Sequence, residues 1–410
     1  MNAVGDPLVW QVPDLRSPNQ TSQLVAKVRE QGNRRLVLDL TKTGAVYPNG
    51  AVPFAATLAY LMHERSLPIE LRFAPGSQLE HILTPLTLDG YVRGDATLTN
   101  SVWMYGSEAD AQRLTSMFMD ALTDQVACEE GVIDSINWCL YEVLDNVFQH
   151  SQADTGYVMM QLHREHRRCA VAVADTGIGI QKSLALTRAA DLDILRDPGA
   201  SIDHSLKKGV TSKGGENQGN GLFGLRRAVE INGGWMNIRS GWGDWALRDG
   251  QISFGTDRTR PLADSEDHQS TLVDWQLDCS TKVRIDEALG SRVTMSSEFL
   301  ESIEDESGVH RVSVREIEES LGSRKLGAEI RTRLVNYLSA GARFVVLDFK
   351  GVGVVSSSFA DEVLAKLAAS LGELEYRRRV FIESASDTNR ALIETAVSTR
   401  LGFGERPEDS

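Results

Sequence analysis

Ala170-Val-Ala-Val-Ala-Asp-Thr-Gly-Ile-Gly-Ile180 is an apolar strand that ends in an acid, Asp175, and then turns on two glycines, Gly177 and Gly179. A carboxylate at a strand end accepts a hydrogen bond from an exocyclic amine such as adenine N6, and glycines let the backbone turn tightly beside a ring. The plain alternative is a strand-to-loop turn in which Asp175 caps the next element.

Upstream, residues 131–150 read as an amphipathic helix. Val132, Ile136, Cys139, Leu140, Val143 and Val147 form its apolar stripe, and Ser135, Trp138, Glu142, Asn146 and Gln149 a neighbouring stripe at the same spacing. Glu142 and Asn146 therefore point together. An amide oxygen one turn from a carboxylate suits a hydrated Mg²⁺ on Asn146 and a nucleophile oriented or deprotonated by Glu142. Taken alone, such a pair is a solvated helix face.

Downstream, Gly219-Asn-Gly-Leu-Phe-Gly-Leu225 opens directly into a helix over 222–232. Backbone N–H groups at a helix start favour phosphate oxygens. The spacing also matches a dinucleotide fingerprint, but residues 209–218 before it are a polar loop, not a strand, and no acid ends a strand further on.

In that order, Glu142-Val-Leu-Asp-Asn146, Asp175-Thr-Gly-Ile-Gly179 and Gly219-Asn-Gly-Leu-Phe-Gly-Leu225 resemble the N, G1 and G2 boxes of the GHKL superfamily of gyrase B, MutL, sensor histidine kinases and anti-sigma serine kinases. The resemblance covers roughly 105–280. It implies a Bergerat-type α/β sandwich on a mixed, mostly antiparallel sheet, with Asn146 on Mg²⁺, Asp175, Gly177 and Gly179 on adenine, and Gly219, Asn220, Gly221, Leu222, Phe223 and Gly224 on the phosphates of ATP. It also implies a mobile lid over 181–218 whose Lys207, Lys208 and Lys213 reach phosphate or simply keep the lid solvated. Thr271, after Ser270, matches the family's small hydroxyl position, although Gln269 replaces the usual preceding glycine. Gln149-His150-Ser151 brings the pattern closest to the anti-sigma serine kinases, and Glu142 implies competence for hydrolysis or phosphoryl transfer. No dimerisation helix with an H-box precedes the region, so a typical sensor histidine kinase is not expected, and His150 reads as a structural residue at a helix end rather than a phosphoacceptor.

The two ends of the chain share another plan. Arg35-Leu-Val-Leu-Asp-Leu40 reads as a buried strand, followed by a Pro48-Asn49-Gly50 turn, a helix to Arg65 and a strand at 69–73. Arg343-Phe-Val-Val-Leu-Asp-Phe349 is followed by a helix from Ser356 to Leu371 and a strand at 379–382. Asp39 and Asp348 align at an offset of 309 (348 minus 39), as in a diverged repeat. Between them, strands are expected at 156–164, 169–174, 235–239, 245–254 and 271–277, after helices at 107–126 and 131–150. The fold class is thus multidomain α+β and α/β, with sections 1–95, 96–285 and 286–410.

Val346-Leu-Asp-Phe-Lys-Gly-Val-Gly-Val-Val-Ser-Ser-Ser358 resembles STAS and STAS-like domains, whose anti-sigma antagonist members are phosphorylated on a serine at this helix start. Ser357 or Ser358 falls at that place; helix N-capping is the competing role. The amino-terminal copy has Pro48-Asn49 there, which implies docking without phosphorylation.

The bulk composition agrees with this assignment. The 410 residues exceed what one core serves, and 41% hydrophobic with 24% charged residues is ordinary for a globular chain. With 43 Lys+Arg against 57 Asp+Glu, net −14, neither nucleic acid nor an acidic membrane is an expected ligand. Cys128, Cys139, Cys169 and Cys279 lack CxxC spacing and read as reduced core residues. No run approaches the roughly 18 apolar residues of a membrane span, so the expected compartment is the cytoplasm. The function expected is an ATP-binding switch, hydrolase or serine kinase that governs regulatory protein partners through STAS-like domains, with a homodimer as one possible assembly. The alternatives are an ATP-driven dimerisation clamp of gyrase B or MutL type and a non-catalytic ATP-gated scaffold.

Overall fold

The computed structural model describes residues 7–31, 35–88, 98–187, 190–207, 210, 221–258, 262, 268–283, 309–315 and 324–402. Among these, 7–119 and 135–278 form one compact unit, and 120–134, 279–283 and 309–402 a second.

The first unit begins with β1 (Leu8–Gln11), α1 (Asn19–Gln31), β2 (Leu36–Asp39), α2 (Pro48–Ala59), β3 (Ile69–Arg72) and α3 (Leu79–Leu83). The strands pair in parallel in the order β1-β2-β3. Pro48 starts α2, where its missing N–H costs nothing and its fixed φ suits a helix. Every residue of α2 from Gly50 to Leu58 is buried, as befits a helix apolar on all sides. Its last turn widens over Tyr60–Glu64.

That helix is buried from both sides because it lies between two sheets. The second consists of β4 (Trp103–Tyr105), β5 (Gly156–His163), β6 (Arg168–Asp175), β7 (Trp235–Ser240), β8 (Gly243–Arg248), β9 (Gln251–Thr256) and β10 (Thr271–Asp278), in the order β4-β5-β6-β10-β7-β8-β9. Every neighbouring pair is antiparallel. Alternation divides its side chains. Tyr157, Met159, Ala172, Ala174 and Leu272 share one core with Trp10, Leu38, Phe54 and Leu58 of the amino-terminal layer. Trp103, Tyr105, Val158, Val173, Val273 and Trp275 are buried on the opposite face. There Tyr105 donates its hydroxyl to Leu144 O at 3.2 Å.

The helices of this region are α4 (Glu108–Gln125), α5 (Val132–Asn146, widened over Val147–Ser151), α6 (Gly179–Thr187), α7 (Leu192–Leu195), α8 (Pro198–Ser205) and α9 (Gly221–Asn232). One sequence expectation is corrected. The single strand expected over 245–254 is a hairpin of β8 and β9, because Asp249 (φ 51°) and Gly250 (φ 71°) form the left-handed pair of a tight turn that matches strand twist. Within the expected lid over 181–218, the described residues carry most of α6 and all of α7 and α8. Asp197 caps α8 through Gly199 and Ala200, and Trp245 Nε1 donates to Asp203 Oδ1 at 3.2 Å, seating α8 on β8.

The second unit contains β11 (His310–Ser313), α10 (Arg324–Ser339), β12 (Val345–Asp348), α11 (Ser357–Ala360) running through a wide turn (Asp361–Ala365) into α12 (Lys366–Leu371), then α13 (Glu373–Arg379), β13 (Val380–Glu383) and α14 (Asp387–Leu401). Its sheet, β11-β12-β13, is again wholly parallel. The same local turn follows β2 and β12: Thr41 N donates to Asp39 Oδ1 and Lys350 N to Asp348 Oδ1, both at 3.0 Å. Fully buried Asn336 of α10 accepts from Cys128 N at 2.8 Å and donates to Thr123 O at 2.7 Å and Val126 O at 3.1 Å, which draws 120–134 into this unit.

Candidate nucleotide-binding site

Asp175 ends β6 as a buried acid, opposite Thr271 of β10. Gly177 N donates to its Oδ1 at 2.8 Å, and the Thr271 backbone N–H also bonds it. Burial nevertheless pushes its carboxyl up to about 7, against those two hydrogen bonds. A further donor, such as an exocyclic amine, would relieve that desolvation.

The turn after Asp175 needs its glycines for different reasons. A Cβ on Gly177 would lie 2.1 Å from Ser151 O, the carbonyl at the end of α5 that accepts from Ile178 N at 2.8 Å. Gly179 has φ 78°, a region open to glycine. Gln269, standing where the family has glycine, packs its side chain over Gly179 and Gly241, while its N–H and that of Ser270 donate to Gly177 O at 2.8 and 3.0 Å. Sequence reasoning missed Ser240. Its Oγ accepts from Ile180 N at 2.9 Å and lies 3.1 Å from Thr271 Oγ1, so it ties the start of α6 to the Thr271 hydroxyl. Its only signal was a small polar residue closing an otherwise alternating strand.

On α5, Glu142 and Asn146 sit one turn apart as the spacing predicts. Burial, and then the charge of Asp145, raise the Glu142 carboxyl above its ordinary value. Gly221, the first residue of α9, stands against it: a Cβ there would be 2.7 Å from Oε2. The start of the glycine-rich helix and the acid of α5 are thereby brought together. Leu222 and Phe223 occupy the first turn of α9, with Gly224 buried behind them. Gly219, Asn220, Lys208 and Lys213 lie outside the described residues, and Lys207 reaches Asp203 at 3.7 Å.

Asn146 carries a buried Nδ2, and Gln149 a buried Oε1, with no hydrogen-bond partner among the described residues. Buried polar atoms left open in this way fit a site that a ligand completes. No cluster of three His, Cys, Asp or Glu suited to a metal is found among the described residues. Mg²⁺ is compatible with that, since it binds through one or two protein oxygens, substrate phosphates and water. Asn146 is the residue that would hold it, through its side-chain oxygen, with the open Nδ2 left to donate to an acceptor of the ligand.

In the second unit, Ser356 is the N-cap of α11 and accepts from Phe359 N at 3.1 Å. Ser357 and Ser358 are exposed in the first turn, and no other described residue engages their hydroxyls. Capping therefore falls to Ser356 and leaves the two candidate phosphoacceptors free of that role.

Residues 131–271 match the family model for histidine kinase-, DNA gyrase B- and HSP90-like ATPases, and residues 327–390 match that of a STAS-like domain of unknown function. Among solved structures, full-length ShkA in complex with AMPPNP aligns with 94% of this chain and 100% of its own at 12% identity. Its TM-score to this chain is 0.23. No curated protein matches the chain. Among the described residues no helix is long and apolar enough to cross a membrane. The chain thus carries a histidine kinase-, DNA gyrase B- and HSP90-like ATPase domain over residues 131–271 and a STAS-like domain over residues 327–390.

Proposed function

We propose that the protein is an ATP·Mg²⁺-dependent regulatory switch in the cytoplasm, in which nucleotide state in section 96–285 governs how sections 1–95 and 286–410 engage regulatory protein partners. The observation that carries this reading is the site around Asp175: a buried acid with two backbone donors, backed by Gly177 and Gly179 and accompanied by Asn146, whose buried Nδ2 has no partner among the described residues. Asp175 accepts the adenine amine. The backbone at the start of α9, from Gly221 to Gly224, receives the phosphates together with the preceding Gly219 and Asn220 of the sequence motif, and Thr271 lines the adenine end. By its place in the sequence before the glycine motif, Lys213 is the lysine assigned to the phosphates.

Mg²⁺, when bound, neutralises charge between the phosphates. Glu142, its carboxyl raised by burial, takes the proton of the attacking hydroxyl, whether water or a serine. Where the acceptor is a serine, the exposed Ser357 and Ser358 are the candidates, because a phosphate at a helix start meets free N–H groups and the positive end of the dipole.

The test is incubation of the purified chain with γ-labelled ATP and Mg²⁺, scoring free phosphate and label retained on protein. Label that disappears in the Ser357→Ala/Ser358→Ala double variant identifies serine phosphorylation; free phosphate alone identifies an ATPase switch. Failure to bind ATP at all overturns the proposal.

A further inference from the structure

Tyr60 closes α2 in the amino-terminal layer and is 4% exposed. Its ring meets that of His268, with centroids 4.6 Å apart and planes tilted by 39°. His268 Nδ1 in turn lies 3.1 Å from Thr176 O, the carbonyl directly after Asp175. A carbonyl accepts only, so this nitrogen carries the proton. The next two residues continue the contact, since Gln269 N and Ser270 N both donate to Gly177 O. Three consecutive residues therefore hold two consecutive carbonyls of the turn from behind, while Gly177 N donates forward to Asp175 Oδ1 at 2.8 Å.

We infer that Tyr60 and His268 are positioning residues for adenine recognition, through which the amino-terminal layer sets the preference of the site for a 6-aminopurine. The inference rests on the ATP reading above. Its physical basis is the direction of one hydrogen bond. A 6-aminopurine donates to the Asp175 carboxylate, whereas a 6-oxopurine presents a second acceptor to it, and the penalty depends on holding Asp175 and the Gly177 N–H in register. Tyr60 lies outside the segment that matches the ATPase family model, so the contact belongs to how this chain is assembled.

The test compares equilibrium binding of ATP and ITP by calorimetry on the full chain, with thermal unfolding measured beside it. Wild type is expected to favour ATP. Loss of one aligned hydrogen bond, about 1.4 kcal/mol, is about a tenfold change, so His268→Ala and Tyr60→Leu are each expected to narrow the ATP-to-ITP ratio by about tenfold. His268→Asn retains an N–H donor, and Tyr60→Phe retains the ring; each should stay within about threefold of wild type. A purely structural role would weaken both nucleotides equally. Equal weakening, or no change, in His268→Ala while wild type binds ATP overturns this inference alone. Absence of ATP binding in wild type overturns it together with the functional proposal. His268 lies in a loop, so its variants keep the test decisive if Tyr60→Leu unfolds.

Discussion

Gly221 stands against Glu142 so closely that a Cβ on the glycine would lie 2.7 Å from the carboxylate Oε2. The neighbour is the far end of a flexible side chain, so Glu142 can move aside. Alanine is also preferred to glycine in a helix by about 0.8–1.0 kcal/mol. Gly221→Ala is therefore expected to keep or slightly raise thermal stability while lowering ATP turnover, because the displaced carboxylate no longer faces the start of α9. Melting curves and phosphate release on the same sample check this; turnover equal to wild type removes Glu142 from the catalytic role.

Gly177→Ala should behave in the opposite way. Its Cβ would meet Ser151 O, a backbone atom, at 2.1 Å, and the Ile178 N–H bond to that carbonyl would have to break. Overpacking against a fixed neighbour costs about 1–3 kcal/mol. The expected outcome is a lower urea midpoint together with loss of ATP binding. An unchanged midpoint would show that the end of α5 yields.

Much of this site was legible because each motif coincides with an element boundary: Asp175 ends β6, Gly221 begins α9, and Glu142 and Asn146 share a helix face. Asp39 and Asp348 were legible as equivalent strand ends, because the same local turn follows each and makes the same demand on sequence. What escaped depends on long-range pairing. Nothing local announces that α2 is covered by β5 and β6; its all-round apolarity fits a buried helix without naming the second sheet. The role of Asn336 toward Cys128 spans more than two hundred residues and has no periodicity to betray it. Asp249-Gly250 was legible as a turn, and reading through it merged β8 with β9.

Asp175 makes the nucleotide-free protein sensitive to pH. Its native carboxyl titrates near 7, against 3.8 for the ordinary group. Between those values the folded state holds a proton that the unfolded chain has released, so stability contributed here is greatest at acid pH and falls as pH rises from about 4 to about 7. Asp274, also pushed up to about 7 by burial, Asp134, pushed up to about 6, and Glu142, raised by burial, act in the same direction, so the wild-type slope belongs to all four. Asp175→Asn removes one contribution and should stabilise the nucleotide-free chain at pH 8 by a few kcal/mol, on the order set by such shifts. It should also abolish ATP binding, since the variant's amide can present a donor to the adenine amine. Melting temperatures from pH 5 to 8 for both proteins check the first part; parallel slopes would locate the sensitivity elsewhere.

The three serines at the start of α11 should separate by role. Ser356 has extended backbone and accepts from Phe359 N, so Ser356→Ala removes a helix cap and is expected to cost about 1 kcal/mol. Ser357 and Ser358 are exposed and contribute no such bond, so alanine at either should leave stability within about 0.5 kcal/mol of wild type. A phosphate on either would face the unpaired N–H groups of the first turn, worth about 0.3–1 kcal/mol at an exposed helix end. Glutamate supplies only part of that charge, so Ser357→Glu and Ser358→Glu should raise the melting temperature slightly, whereas Ser356→Glu should lower it. If Ser356→Ala proves neutral and Ser357→Ala costly, capping belongs to Ser357, and Ser358 alone is left as the free hydroxyl for phosphoryl transfer.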